Sequence, residues 1–157
     1  MTLDDACDFI ITKVTADDDT SARLNVHKLH KLLYYAQAWH LAIHDRPLFQ
    51  GAFQAWVHGP VSREIYDRFR DSKGMYSAVF SSDIRPMFNM DALSVEEQRF
   101  LETLLEEYAP LTGTQLEEMT HAEDPWKEAR RNCLPSQRCE VVIKEETMRS
   151  FYRARLG

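Results

Sequence analysis

Apolar residues return every three or four positions along most of this chain, the spacing of helices that bury one face. Leu3, Ala6, Cys7, Ile10, Ile11 and Val14 form one such stripe, with Thr2 and Asp5 placed as a capping box at its start. The acidic and polar run from Ala16 to Ser21 reads as a loop. Asn25 is positioned to cap a long helix reaching about Asp45. Val26, Leu29, Leu32, Leu33, Ala36 and Ile43 give it an apolar side, which Tyr34, Tyr35 and Trp39 widen. A helix so broadly apolar is expected at the centre, contacted from several directions. Asp45-Arg46-Pro47 ends it, because the residue before a proline avoids the helical region.

Beyond this helix the period changes to two. Phe53, Ala55 and Val57 alternate with Gln54, Trp56 and His58, a short strand. Gly59-Pro60 is expected to break it, with Pro60 opening a helix that carries Val61, Ile65 and Phe69 and stops at Gly74. Residues 75–91 show no regular pattern. Ser94 and Glu97 form a capping box before Leu101, Leu104, Leu105 and Tyr108. Thr114 and Glu117 suggest another, for a short helix with Leu116 and Met119. Asp124-Pro125 starts one more, Val141-Val142-Ile143 reads as a second short strand, and a last helix buries Met148, Phe151 and Tyr152. The expected fold is mainly α, a compact helical bundle with a minor strand pair, and one domain over residues 1–157.

Composition fits that picture. At 157 residues and 44% hydrophobic, the chain has the material for a sizeable core. Three cysteines, Cys7, Cys133 and Cys139, are too few and too odd for a disulfide framework and suit a reducing compartment. The opening Met1-Thr2-Leu3-Asp4-Asp5 lacks the basic and apolar regions of a signal peptide, and no run is long enough for a membrane span; a cytoplasmic location is expected. Net charge is −6, which argues against DNA or an anionic membrane as the main partner. From Trp126 onward eight Lys and Arg face four Asp and Glu, a local +4 that leaves −10 on the remainder. Such polarity can steer a charged protein partner, or it is simply a solvated surface.

Motifs for chemistry are sparse. His40 and His44 stand one turn apart without a third ligand, and His27 and His30 form a similar, weaker pair. Cys133 and Cys139 are not at zinc spacing, and five glycines include no phosphate-cradling loop. No enzyme, metal or cofactor is therefore expected. Arg149, Arg153 and Arg155 are the residues a nucleic-acid reading would rest on.

Three features stand out instead. Trp56-Val57-His58-Gly59-Pro60 places polar-tipped rings beside a sharp turn, Thr120-His121-Ala122-Glu123-Asp124-Pro125-Trp126 does so again, and Tyr34-Tyr35 adds two hydroxyls on the long helix. Buried Trp and Tyr need hydrogen-bond partners. Two readings follow: an internal polar network that fixes how helices meet, or a partner-facing groove with aromatic anchors. The second gives Tyr35, Trp39, Trp56, His58, His121 and Trp126 as candidate partner-binding residues.

The same segments carry a family resemblance. The run from Lys28 to His40, the blocks Pro47-Leu48-Phe49 and Ala55-Trp56-Val57-His58-Gly59-Pro60-Val61, and then Leu116, Thr120-His121 and Pro125-Trp126 resemble, in order and spacing, the Panacea domain of SocA-like antitoxins. The likeness runs from about Leu3 to Phe151. It implies a largely helical domain that binds a small protein toxin encoded beside it, in some members from phages or prophages. Within the family it also implies two modes: direct neutralisation, or delivery of the toxin to the ClpXP protease by a proteolytic adaptor. No helix-turn-helix segment lies outside the matched blocks, so promoter binding is not implied. The alternative kept beside it is a phage-associated nucleic-acid-binding or regulatory protein.

Overall fold

The structure, a computed structural model, describes residues 1–16 and 23–156; most of the 16–21 loop lies outside the described residues. Among those described there are seven α-helices and one two-stranded sheet. Helix α1 (Leu3–Thr15) starts on the Thr2/Asp5 capping box expected from the sequence. Helix α2 (Val26–His44) is capped by the Asn25 side chain and closes on Asp45 in the left-handed conformation. Strands β1 (Phe53–Trp56) and β2 (Gly59–Ser62) form a hairpin. Helix α3 (Arg63–Phe69) follows directly, and residues 70–94 are irregular apart from 3-10 turns at Ser81–Asp83 and Met90–Ala92 and a single bridge from Ala78 to Asn25. Then come α4 (Val95–Tyr108), α5 (Gly113–His121), α6 (Asp124–Ala129) and α7 (Glu145–Arg153).

Helix α2 is the axis of the molecule. It packs against α1, α4, α5, α7 and β2, and Leu29, Leu32, Leu33, Tyr34, Tyr35, Ala36, Ala38 and Leu41 are all fully buried. Met148, Phe151 and Tyr152 of α7 join the same core. A second tie holds the α1 side. The buried Asp8 carboxylate receives Arg68 from α3 and Arg85 from the irregular segment, each at 2.5 Å, while Asp4 and Asp5 take the outer guanidinium nitrogens. A buried carboxylate is tolerated when paired and hydrogen-bonded in this way.

Five features differ from the sequence reading. Gly59-Pro60 does not break the sheet; it begins β2, pairing with Trp56 and Ala55 across a two-residue turn. Gly59 supplies a φ of 106°, which L residues rarely adopt. Pro60 is tolerated because Ala55 opposite turns its polar groups away: its N–H donates to Val141 O at 2.9 Å and its carbonyl accepts from Arg130 at 2.8 Å. A proline costs little where its partner residue makes no cross-strand bonds. The helix then starts at Arg63 under a Ser62 cap and ends at Phe69, well before Gly74.

Residues 141–143 meet the other edge of β1 as a single bridge, Gln54 with Val142, and are not the hairpin partner. Helix α5 uses the Thr112/Gln115 box in place of Thr114/Glu117. The earlier start puts Gly113 against α2, where a Cβ would lie 2.8 Å from His27 Cδ2. Finally, Glu123, not Asp124, is the N-cap of α6, and its side chain makes no capping bond because it serves the core.

Candidate aromatic and polar site

The six residues singled out from the sequence divide into two groups. Tyr35 and Trp39 sit on α2. Tyr35 is 0% exposed; its ring stacks on Tyr108 at 4.5 Å and its hydroxyl donates to Glu123 Oε1 at 2.6 Å. Tyr152 donates to the same oxygen at 2.9 Å, and Tyr34 shares a 3.2 Å bond with Tyr152. Burial holds the Glu123 carboxyl above its usual range, and it holds all three phenols above theirs as well. The hydroxyls therefore stay protonated and donate. Tyr35 thus belongs to the internal network and offers no surface to a partner while the core is closed. Trp39 is half-buried, donates to Tyr108 at 2.7 Å and lines a 280 Å³ apolar groove with Ile43, Phe100 and Leu104.

Trp56, His58, His121 and Trp126 come together at the hairpin end. The β1–β2 turn presents Trp56 and His58, and the junction of α5 and α6 presents His121 and Trp126. Trp126 Nε1 donates to the Trp56 carbonyl at 2.9 Å, and its ring stacks on His121 at 4.0 Å. Trp56, His121 and Trp126 are half-buried; the His58 side chain is 62% exposed. Trp56 and His58 also line a 440 Å³ pocket together with His27, Tyr66, Tyr76 and Arg138.

Beneath this end lies a polar group that the sequence reading did not assemble. Glu117 of α5 sits between two rings, 3.2 Å from His58 Nδ1 and 3.1 Å from His27 Nε2. Burial lowers His27 to about 3, so it is neutral at physiological pH. His30 Nδ1 accepts from Ser62 N at 3.2 Å, which leaves its Nε2 as a donor, and that donor finds no acceptor among the described residues. Lys31 is fully buried and its Nζ likewise makes no hydrogen bond among them. Burial brings Lys31 down to about 7. The stem of Lys31 meets the hairpin: a Cβ on Gly59 would lie 2.7 Å from Lys31 Cε and 3.2 Å from Thr120 Oγ1. The contact brings together residues from three separated segments of the chain.

The other sequence candidates are engaged elsewhere. His40 Nδ1 lies 2.7 Å from the Arg46 carbonyl and packs on Phe100, while His44 is exposed. Among the described residues no group of three His, Cys, Asp or Glu is placed to hold a metal ion. Arg149 and Arg153 both reach Asp45, and Arg155 covers the Phe151 ring. No helix is long and apolar enough to cross a membrane among the described residues.

Residues 29–127 match the family described as antitoxin SocA-like, Panacea domain. The chain belongs to this family. The matched segment contains most of α2, the hairpin, α3, α4, α5 and the start of α6, hence all six candidate residues and the greater part of both polar groups, though not His27 or Tyr152. No curated protein and no solved structure matches the chain. Membership supports a role of the antitoxin type, and such a family suggests, in general terms, a toxin as partner.

Proposed function

We propose that this Panacea-domain chain neutralises a small toxin encoded beside it by stoichiometric binding, without catalysing a reaction. The face that receives the toxin is the hairpin end: Trp56, His58, His121 and Trp126, with the pocket they border. One observation carries this choice. Four residues from two distant motif blocks meet there with aromatic rings half-buried and an accessible imidazole, as interface anchors do. Trp39 contributes a separate apolar groove on the α2–α4 side. A chain with two such surfaces suits an adaptor that holds its toxin while contacting the ClpXP protease, since joined weak contacts raise effective concentration.

Expression of the neighbouring reading frame alone, then with this chain, tests the reading. Growth arrest relieved by co-expression supports it; an innocuous neighbour ends it. The same pair in cells lacking ClpX separates adaptor from inhibitor: rescue lost there means delivery to the protease. His58→Ala, which removes an exposed ring, is expected to leave the fold intact and weaken toxin binding by roughly tenfold, the size of an ordinary interface contact. Unchanged binding would move the toxin face away from the hairpin.

A further inference from the structure

Cys133 and Cys139 bracket a loop, Leu134-Pro135-Ser136-Gln137-Arg138, that the fold holds tightly from within. The buried Arg130 guanidinium donates to the carbonyls of Leu134 at 2.8 Å, Pro135 at 3.3 Å and Gln137 at 2.7 Å, as well as to Ala55 in β1. Leu134 N is further bonded to Gln137 Oε1 at 2.9 Å. This single cation curls the loop back on itself and brings its two ends together. The Cys133 and Cys139 sulfurs lie 2.6 Å apart as free thiols. Cys133 is half-exposed and Cys139 is buried beneath it, while Cys7 is buried in the core with its thiol pushed up to about 12. Sequence spacing alone offered no reason to pair the two.

We propose that Cys133 and Cys139 are a reversible dithiol–disulfide modification site, oxidised by small disulfides of the glutathione class. The half-exposed Cys133 thiolate attacks one sulfur of the oxidant, forming a mixed disulfide and releasing one glutathione thiolate, which takes up the proton that Cys133 lost. Cys139, already in contact, loses its proton and attacks the Cys133 sulfur. The second glutathione leaves as a thiol. Two thiols of the protein are oxidised and one glutathione disulfide is reduced to two thiols. The bond pins the loop that carries Ser136, Arg138 and Cys139 into the wall of the 440 Å³ pocket. The site stands independently of the toxin reading.

Full-length protein equilibrated in glutathione redox buffers, quenched with acid and alkylated, tests this by tryptic mapping. Cleavage after Arg131, Arg138 and Lys144 places the two cysteines on separate peptides. The expected product is one disulfide-linked pair of peptides 132–138 and 139–144, two hydrogens lighter than its parts and restored by dithiothreitol, with Cys7 alkylated only after unfolding. At a given glutathione ratio, the disulfide-to-dithiol ratio in the folded chain is expected to exceed that in concentrated guanidinium by ~10-fold or more, because the fold raises the effective concentration of one thiol at the other. Cys139→Ser is expected to stop at a single glutathione on Cys133. Two free thiols in the oxidising buffer, a glutathione adduct persisting on Cys133 of the unsubstituted chain, or equal ratios folded and unfolded would each overturn the proposal.

Discussion

Helix α2 carries two buried polar groups, one turn apart, and they are finished to different degrees. Around Tyr34, Tyr35 and Gln37 no buried side-chain nitrogen or oxygen is left without a partner. The hydroxyls converge on Glu123, and Gln37 accepts from Leu48 N at 2.8 Å while donating to Phe49 O at 2.8 Å. Around His30 and Lys31 two donors have none among the described residues. Buried polar atoms left unpaired are rare in folded proteins and call for a specific cause. The completed group therefore explains how α2, α6, α7 and the chain after α2 are locked together. The incomplete one lies under the hairpin end, and its His30 and Lys31 are as buried as Tyr35. What separates the two halves of α2 is hydrogen-bond completion and not burial.

The largest test of the completed group is Glu123→Ala. It strips the acceptor from the Tyr35 and Tyr152 hydroxyls, and each orphaned buried donor costs about 1–3 kcal/mol. A loss of roughly 2–5 kcal/mol in urea unfolding is expected, with Glu123→Gln much milder because an Oε1 acceptor remains. A loss under ~1 kcal/mol would mean that the network is not what holds these helices. On the other side, Gly59→Ala combines a disfavoured φ of 106° with a Cβ 2.7 Å from Lys31 Cε, and about 2 kcal/mol is expected from strain and overpacking.

Acidity should separate the groups further. His27 is depressed from 6.5 to about 3, chiefly by burial. Its folded-state pKa lies below its unfolded one, so stability is fully present above pH 6.5 and declines as pH falls through the window down to about 3. His30 is depressed in the same direction and adds to the slope. Lys31, lowered from 10.5 to about 7, acts higher: stability rises between pH 7 and 10.5 as the unfolded chain gives up the proton that the fold already excludes. Glu123 is raised, so the folded chain keeps a proton that the unfolded chain loses: it opposes the slope of the two histidines above its unfolded value of 4.5 and adds no slope well below it. Chemical denaturation across pH 4.5 to 9 should show stability climbing with pH at both ends of that range, at no more than about 1.4 kcal/mol per pH unit for each proton involved; above 9 the raised Cys7 thiol opposes Lys31. A flat profile from 4.5 to 6.5 would show that the imidazoles are not held neutral.

Much of this was legible in the chain. Capping boxes and apolar spacing placed α1, α2 and α4, because those signals act within a few residues. The central role of α2 followed from apolar residues on nearly all its faces. The hairpin was misread at Pro60 because its tolerance depends on Ala55 bonding to Val141 and Arg130, contacts across 75 positions and more. The start of α5 was ambiguous between two boxes two residues apart, and only the close approach of Gly113 to α2 decides it. Of the candidate residues, Trp56, His58, His121 and Trp126 do assemble at one end, whereas Tyr35 belongs inside. The placing of Lys31 and Glu117 beneath the hairpin end is not legible in the sequence. A lysine on an otherwise apolar helix is the one local sign of the first; Glu117 read only as a cap.

The finest test of the comparison is Lys31→Met. The methionine keeps an unbranched stem of similar length, so the packing against Gly59 and Thr120 is largely retained, while an amine without an acceptor is removed. Replacing a poorly compensated buried ion by an apolar group of like shape is often neutral or stabilising. A gain of about 1 kcal/mol in urea unfolding at pH 6 is expected, shrinking towards pH 10, where the amine of the folded chain is already neutral. If toxin binding completes this group, the same variant should bind more weakly although it is more stable, a pairing that loss of structure cannot produce. A stability loss above ~2 kcal/mol would instead mean that the amine is satisfied in the free protein, and the contrast between the two halves of α2 would then be one of degree alone.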